Sequence, residues 1–284
     1  MVTFGTNRLA VETLLAGEVK LASPPEVFLR LCEILDDPAK TVYDAERVIE
    51  HDPGTAARLL RLVNSAFYGF PRQITSISRA IAMIGLKELR DLILATWVVE
   101  RFSRLPNRLL DMRAFWRVSV RTGLLARALA RRHAQAKSLQ SVFVCGLLHE
   151  IGRLVIYAKI PELGRAAELL TKAEGIEEIE AERRIYGFDH YQLAAELARR
   201  WRLPEVFVAT LRWHGSPGEA GSFARETALV TLASRLSLAE VFPAEAVGPT
   251  ALLAFLHLPA ACLPEALEEA EAQLDEVFRG LFRG

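Results

Sequence analysis

Three histidines and one carboxylate stand in settings that suit metal or phosphate chemistry. His149 and Glu150 are adjacent within Gly146-Leu147-Leu148-His149-Glu150-Ile151-Gly152, His190 follows Gly187-Phe188-Asp189, and His214 follows Leu211-Arg212-Trp213. A helical metal site acting on phosphates needs several imidazole and carboxylate donors converging from different helices, because a divalent cation is held by a fixed set of nitrogen and oxygen ligands. His149 and Glu150 could supply two of them. The competing reading makes His149 a packed core residue whose ring nitrogens are satisfied by Glu150, His190 or a backbone carbonyl. For His190 the competing reading is a contact in the first turn of a helix.

Helices must position these groups, since 3.6-residue apolar periodicity runs through nearly the whole chain and alternating β-branched runs are few. The expected fold class is all-α, a compact multi-helix bundle with short connections. Ser23-Pro24-Pro25 opens a helix whose stripe is Val27, Phe28, Leu31, Ile34 and Leu35. Asp52-Pro53 opens another, with a capping carboxylate and proline in the first turn, ahead of Leu59, Leu60 and Val63. Asn64-Ser65 interrupts that apolar face, and side-chain hydrogen bonds there are expected to lock the turn near Tyr68-Gly69. Leu105-Pro106-Asn107 reads as a seam, giving three expected parts at 1–105, 106–240 and 241–284. The basic run Arg127 to His133 reads as a solvated helix end. So does the acidic cluster Glu177, Glu178, Glu180 and Glu182, with Glu182 turned inward. Trp116, Trp201 and Trp213 sit in apolar patterns and read as core anchors.

Composition narrows the function classes. The 284 residues are 51% hydrophobic and carry 35 basic and 35 acidic side chains, so bulk attraction to nucleic acid or an anionic membrane is absent. No apolar run reaches the roughly 20 residues of a membrane helix, and the first ten residues lack a signal-peptide block, so a cytoplasmic location is expected. Cys32, Cys145 and Cys262 are widely spaced among apolar neighbours and read as reduced core thiols. There is no P-loop, dinucleotide turn, nucleophile elbow or CxxC pair.

Several segments, taken in order, resemble the HDOD family of bacteria, the HD-related output domains, over roughly residues 12 to 240. They are Leu21 to Val27, His51-Asp52-Pro53 leading to Leu62-Val63-Asn64-Ser65-Ala66, Ala80 to Gly85, Trp116 with Ser119, and Gly146 to Gly152. Gly187-Phe188-Asp189-His190 continuing to Trp201-Arg202-Leu203-Pro204 completes the set. The resemblance implies a helical core like that of the HD phosphohydrolases, an N-terminal helical subdomain, and a regulatory role without catalysis. It places the His-Asp pair of an HD enzyme on His149 and Glu150, the first ligand histidine at Val118 and the final ligand aspartate at Ser234. Valine cannot coordinate a metal, and a neutral hydroxyl is a poor substitute for a carboxylate.

No catalytic residue, resident metal or cofactor is therefore expected. His149, Glu150, His190 and His214 are expected to line a degenerate binding cleft, and Asp52, Pro53, Asn64 and Ser65 to serve structure. The expected function is a signal-transduction module that binds a protein partner or a small ligand, a nucleotide being one candidate. No receiver, GGDEF, EAL or kinase segment is present in the sequence, so a partner in trans is expected, with a homodimer also weighed. Nucleic acid is not expected as a partner. The alternative is a metal-dependent phosphohydrolase of nucleotides or cyclic dinucleotides, with a site rebuilt on His149, Glu150, His190 and His214.

Overall fold

The computed structural model describes residues 11–16, 23–103, 110–239 and 250–282. Among the described residues there are helices and no strands. The first six helices are α1 (Val11–Ala16), α2 (Glu26–Asp36), α3 (Val42–Glu50), α4 (Pro53–Val63), α5 (Ile77–Ile84) and α6 (Leu86–Phe102). They are followed by α7 (Met112–Arg131), α8 (Val142–Leu148), α9 (Ile151–Lys159), α10 (Pro161–Glu174), α11 (Glu178–Ile185) and α12 (His190–Arg200). The last four are α13 (Glu205–Trp213), α14 (Ala224–Ala239), α15 (Thr250–Phe255) and α16 (Cys262–Phe282).

Local chemistry sets these boundaries. Asp52 accepts the Thr55 backbone N–H at 3.0 Å and its hydroxyl at 2.7 Å, with Pro53 in the first turn of α4. Where α4 ends, Asn64 donates to the carbonyls of Leu60 and Ile74, and its own amide oxygen accepts the Ile74 N–H, all at 2.7 Å. Ser65 donates to the Leu62 carbonyl at 2.6 Å and accepts the Phe67 N–H at 3.3 Å. These bonds fix the chain that carries Phe67 into the core. Gly85, at φ +85°, makes the reversal between α5 and α6 that a side chain would strain.

The 20-residue α7 is the axis of the molecule, and α8, α14 and α16 pack around it. Gly123 of α7 crosses Gly146 of α8 so closely that a Cβ on Gly146 would stand 2.8 Å from the Gly123 Cα. A Cβ on Gly123 would stand 2.5 Å from the Phe143 carbonyl. That crossing seats the end of α8, where His149 follows, against the middle of α7.

α16 returns across the bundle onto α7, α4 and α6 and buries Ala266, Ala270, Leu274, Val277 and Leu281. Its acidic side changes the reading of the basic run. Arg131 and Arg132 each donate to Glu269 at 2.8 Å, Arg117 meets Asp275 at 2.6 Å, and Glu276 accepts the Ala66 N–H at 2.8 Å. Arg127 lies 3.6 Å from the centre of the Phe67 ring and donates to the Phe67 carbonyl at 2.6 Å. Arg127 is thus packed between Phe67 and Glu88, while Arg132 and the still exposed Arg131 are paired by an acidic helix from more than 130 residues further along the chain.

Trp116 and Trp201 are buried, whereas Trp213 is half-buried beneath Arg212, whose guanidinium lies 4.2 Å from its ring centre. Cys145 and Cys262 are buried and Cys32 half-buried, all as free thiols. The seam at Leu105-Pro106-Asn107 and the boundary at 240/241 lie outside the described residues, as do Leu21 and Ala22. No helix among the described residues is long and apolar enough to cross a membrane.

Candidate functional site

The sharp turn between α8 and α9 presents His149 and Glu150, the first turn of α12 presents His190, and the end of α13 presents His214. Glu150, His190 and His214 line a cavity of about 510 Å³ whose far wall is α14, through Thr231, Ser234 and Leu238, whereas His149, expected to line it too, is buried behind it against Ser234. Two local devices aim the groups. Asp189 caps α12 in a reciprocal box with Gln192, which sets His190 at the helix start. Gly152 allows α9 to lie directly on the His190 carbonyl, where a Cβ would overlap the oxygen.

His149 is enclosed and spoken for. Its Nδ1 stands 2.7 Å from the Gly146 carbonyl, so that nitrogen carries the proton, and Nε2 accepts from the Ser234 hydroxyl at 3.0 Å. Burial pushes the ring pKa down to about 4, which keeps it neutral at pH 7. The hydroxyl that replaces the expected aspartate therefore occupies the one lone pair with which His149 could ligate a metal.

Glu150 is 18% exposed and sits among cations and rings. Burial works to raise its carboxyl pKa, but Arg153, His190, His214 and His149 outweigh that and hold it well below the usual range. Arg153 Nε lies 2.8 Å from Glu150 Oε2, and the same guanidinium reaches Glu178. His190 is fixed twice by Glu182, through its backbone N–H and through Nδ1, both at 2.8 Å. His214 directs Nδ1 at the carbonyls of Thr210 and Leu211, at 3.3 and 3.1 Å. The outer nitrogens of these two rings point to the carboxylate: His190 Nε2 is 3.4 Å and His214 Nε2 3.8 Å from Glu150 oxygens, and neither has a hydrogen-bond partner. Tyr191 packs across both rings, with centroids at 4.4 and 4.0 Å.

His149, Glu150, His190 and His214 are thus brought together, while Asp52, Pro53, Asn64 and Ser65 lie at the two ends of α4. Val118 departs from its expected place. It is half-buried and does not line the cavity, whereas Ser119 is buried and shares with Gly123 the face of α7 that meets α8. Helical spacing puts residues 119 and 123 one above the other, so residue 119 is the one directed at the end of α8. Neither side chain offers a ligand suited to a hard cation. Sequence reasoning missed Arg153, although its position three residues after Glu150 signals a same-face ion pair. It also missed Glu178, which its cluster disguised as solvated but which is half-buried on Arg153.

The residues therefore do not make up the full metal set of an HD enzyme, because His149 is closed off by Ser234. What the cleft offers is an acid-rich pocket with two unpartnered imidazole nitrogens.

Comparisons with known proteins agree with this architecture. An uncharacterized protein of Treponema pallidum (strain Nichols) is 29% identical over 199 residues, 67% of this chain, and this chain spans only 36% of that protein's length. A solved structure from Shewanella amazonensis SB2B, provisionally named a phosphohydrolase, superposes with a TM-score of 0.75 at 23% identity, covering 98% of this chain and 100% of the other. An HDOD domain protein of unknown function from Geobacter sulfurreducens gives 0.66 at 26% identity, covering 96% and 88%. The fold is thus the all-α, HD-like one that the periodicity and the resemblance anticipated. Residues 21–217 match the HDOD domain family, and with that match the chain belongs to the HDOD family.

Proposed function

We propose that this chain is a noncatalytic regulatory module of signal transduction, acting through a ligand or a protein partner that its cleft or surface recognises. The observation that carries the reading is the state of His149, both of whose ring nitrogens are used by the protein itself. A histidine in that state has no ring nitrogen open to a metal, and fold alone does not confer activity once the site has changed. The near-balanced charge argues against nucleic acid as the partner.

The test is hydrolysis of bis(p-nitrophenyl) phosphate and of a cyclic dinucleotide by the purified protein with added Mg²⁺ or Mn²⁺. No turnover above the metal-only background is expected. Turnover that disappears in Glu150→Gln would overturn the reading in favour of a phosphohydrolase rebuilt on His149, Glu150, His190 and His214. That second reading draws on the convergence of Glu150, His190 and His214, whose donor atoms lie within 4.8 Å of one another.

A further inference from the structure

The nitrogens left unpaired in the cleft point to its ligand. Buried polar atoms without partners are rare and costly in folded proteins. Here two of them, on rings only 2% and 4% exposed, are aimed at opposite oxygens of one carboxylate. The inner nitrogen of each ring is already committed. His214 Nδ1 faces the carbonyl oxygens of Thr210 and Leu211, and His190 Nδ1 faces the Glu182 carboxylate, so each Nε2 is the atom that a bound cation would take.

The spacing suits such a cation. Bonds of about 2.0–2.2 Å in a tetrahedral shell set neighbouring ligand atoms roughly 3.3–3.5 Å apart. His190 Nε2 is 3.4 Å from Glu150 Oε2 and His214 Nε2 is 3.8 Å from Oε1, and one donor atom from each of the three residues lies within 4.8 Å of the other two, close enough to be drawn onto one ion. Second contacts on the ligands are already in place, from Glu182 to His190 and from backbone carbonyls to His214, the arrangement by which proteins orient metal-bound imidazoles. Charge agrees as well. Glu150, Glu177 and Glu178 line the cavity against Arg153 and Arg235, which favours a cation over a bare phosphate.

We propose that Glu150, His190 and His214 bind one divalent cation of the imidazole-preferring class, such as Zn²⁺, with His149 and Ser234 outside the ligand set. Two nitrogen donors of three disfavour Mg²⁺ and Ca²⁺, which take oxygen shells. The inference rests on reading the cleft as a binding site, and it names the ligand. Bound there, the ion clips together the α8–α9 turn, the start of α12 and the end of α13, so its occupancy would set how firmly these three elements hold their arrangement.

The test uses the full chain, stripped with chelator and titrated at pH 7.5 with Zn²⁺ by calorimetry and with Co²⁺ by its visible absorption. One equivalent is expected, with a Co²⁺ spectrum of mixed nitrogen and oxygen ligation and a rise of several degrees in the unfolding midpoint. His190→Ala, His214→Ala and Glu150→Gln should each weaken binding by at least about tenfold. His149→Gln and Ser234→Ala should keep it, far-ultraviolet circular dichroism confirming that every variant is folded. Failure of the wild-type chain to take up either ion overturns the assignment, as does binding that survives His190→Ala or is abolished by both His149→Gln and Ser234→Ala. Phosphodiester hydrolysis by the Zn²⁺-loaded protein would defeat the noncatalytic reading while leaving the metal assignment standing.

Discussion

His149 shows how a single hydroxyl can claim the outer nitrogen of a buried histidine. Its partner Ser234 lies 85 residues away, so the sequence displays the serine without displaying the bond. Enclosure has a measurable consequence. The ring binds a proton more weakly when folded, near pH 4, than at its ordinary 6.5, so between those values the unfolded chain takes up more protons. Stability should therefore fall as pH drops from about 6.5 towards 4, by up to ~3 kcal/mol at about 1.4 kcal/mol per pH unit of displacement. Glu150 acts in the same direction lower down, because its carboxyl ionises below the ordinary 4.5 and the stability this lends is lost as pH falls through the folded value. Denaturant unfolding at pH 7, 5.5 and 4.5 checks the sum. His149→Gln should flatten the first part of the decline, and a wild-type profile already flat there would show that the ring is not held neutral by burial.

At the scale of elements, the site depends on helices that touch backbone to backbone. The Gly123–Gly146 crossing seats the α8–α9 turn, and Gly152 brings α9 onto the His190 carbonyl. Gly152→Ala should lower stability by about 1–3 kcal/mol, since the added methyl meets a carbonyl rather than a yielding side chain. Because that carbonyl belongs to His190, the same substitution should displace the histidine from Glu150, seen as altered ring resonances of His190 by NMR. Unchanged stability and unchanged resonances would mean that α9 and α12 separate freely. Periodicity and caps made most helices legible in the sequence: Asp52-Pro53 opens α4 and Asp189 opens α12, as local residue chemistry demands. Close crossings were not legible, because a glycine announces freedom without naming its neighbour.

For the whole molecule, the decisive element is α16. The basic run of α7 reads locally as solvent-facing, and the return of an acidic helix from far along the chain pairs Arg131 and Arg132. Charges are the lesser part of that contact. Exposed ion pairs such as Arg117–Asp275 contribute about 0–1 kcal/mol, whereas Leu274 is 2% exposed and its truncation leaves a void. Leu274→Ala should cost about 2–5 kcal/mol by urea unfolding, and 1 M NaCl should change the wild-type midpoint little. A large salt effect beside a small effect of Leu274→Ala would reverse that ranking.

The position of α14 and α16 relative to the matched family segment bears on how this protein can be divided. The match ends at residue 217, before the helix that supplies Ser234 and before the helix that covers α7. A fragment trimmed to residues 21–217 would strip His149 of its hydroxyl partner and lay bare the apolar strip beneath α16. The portable unit, the piece that could be grafted into another protein and still fold around its cleft, is therefore larger than the family boundary suggests.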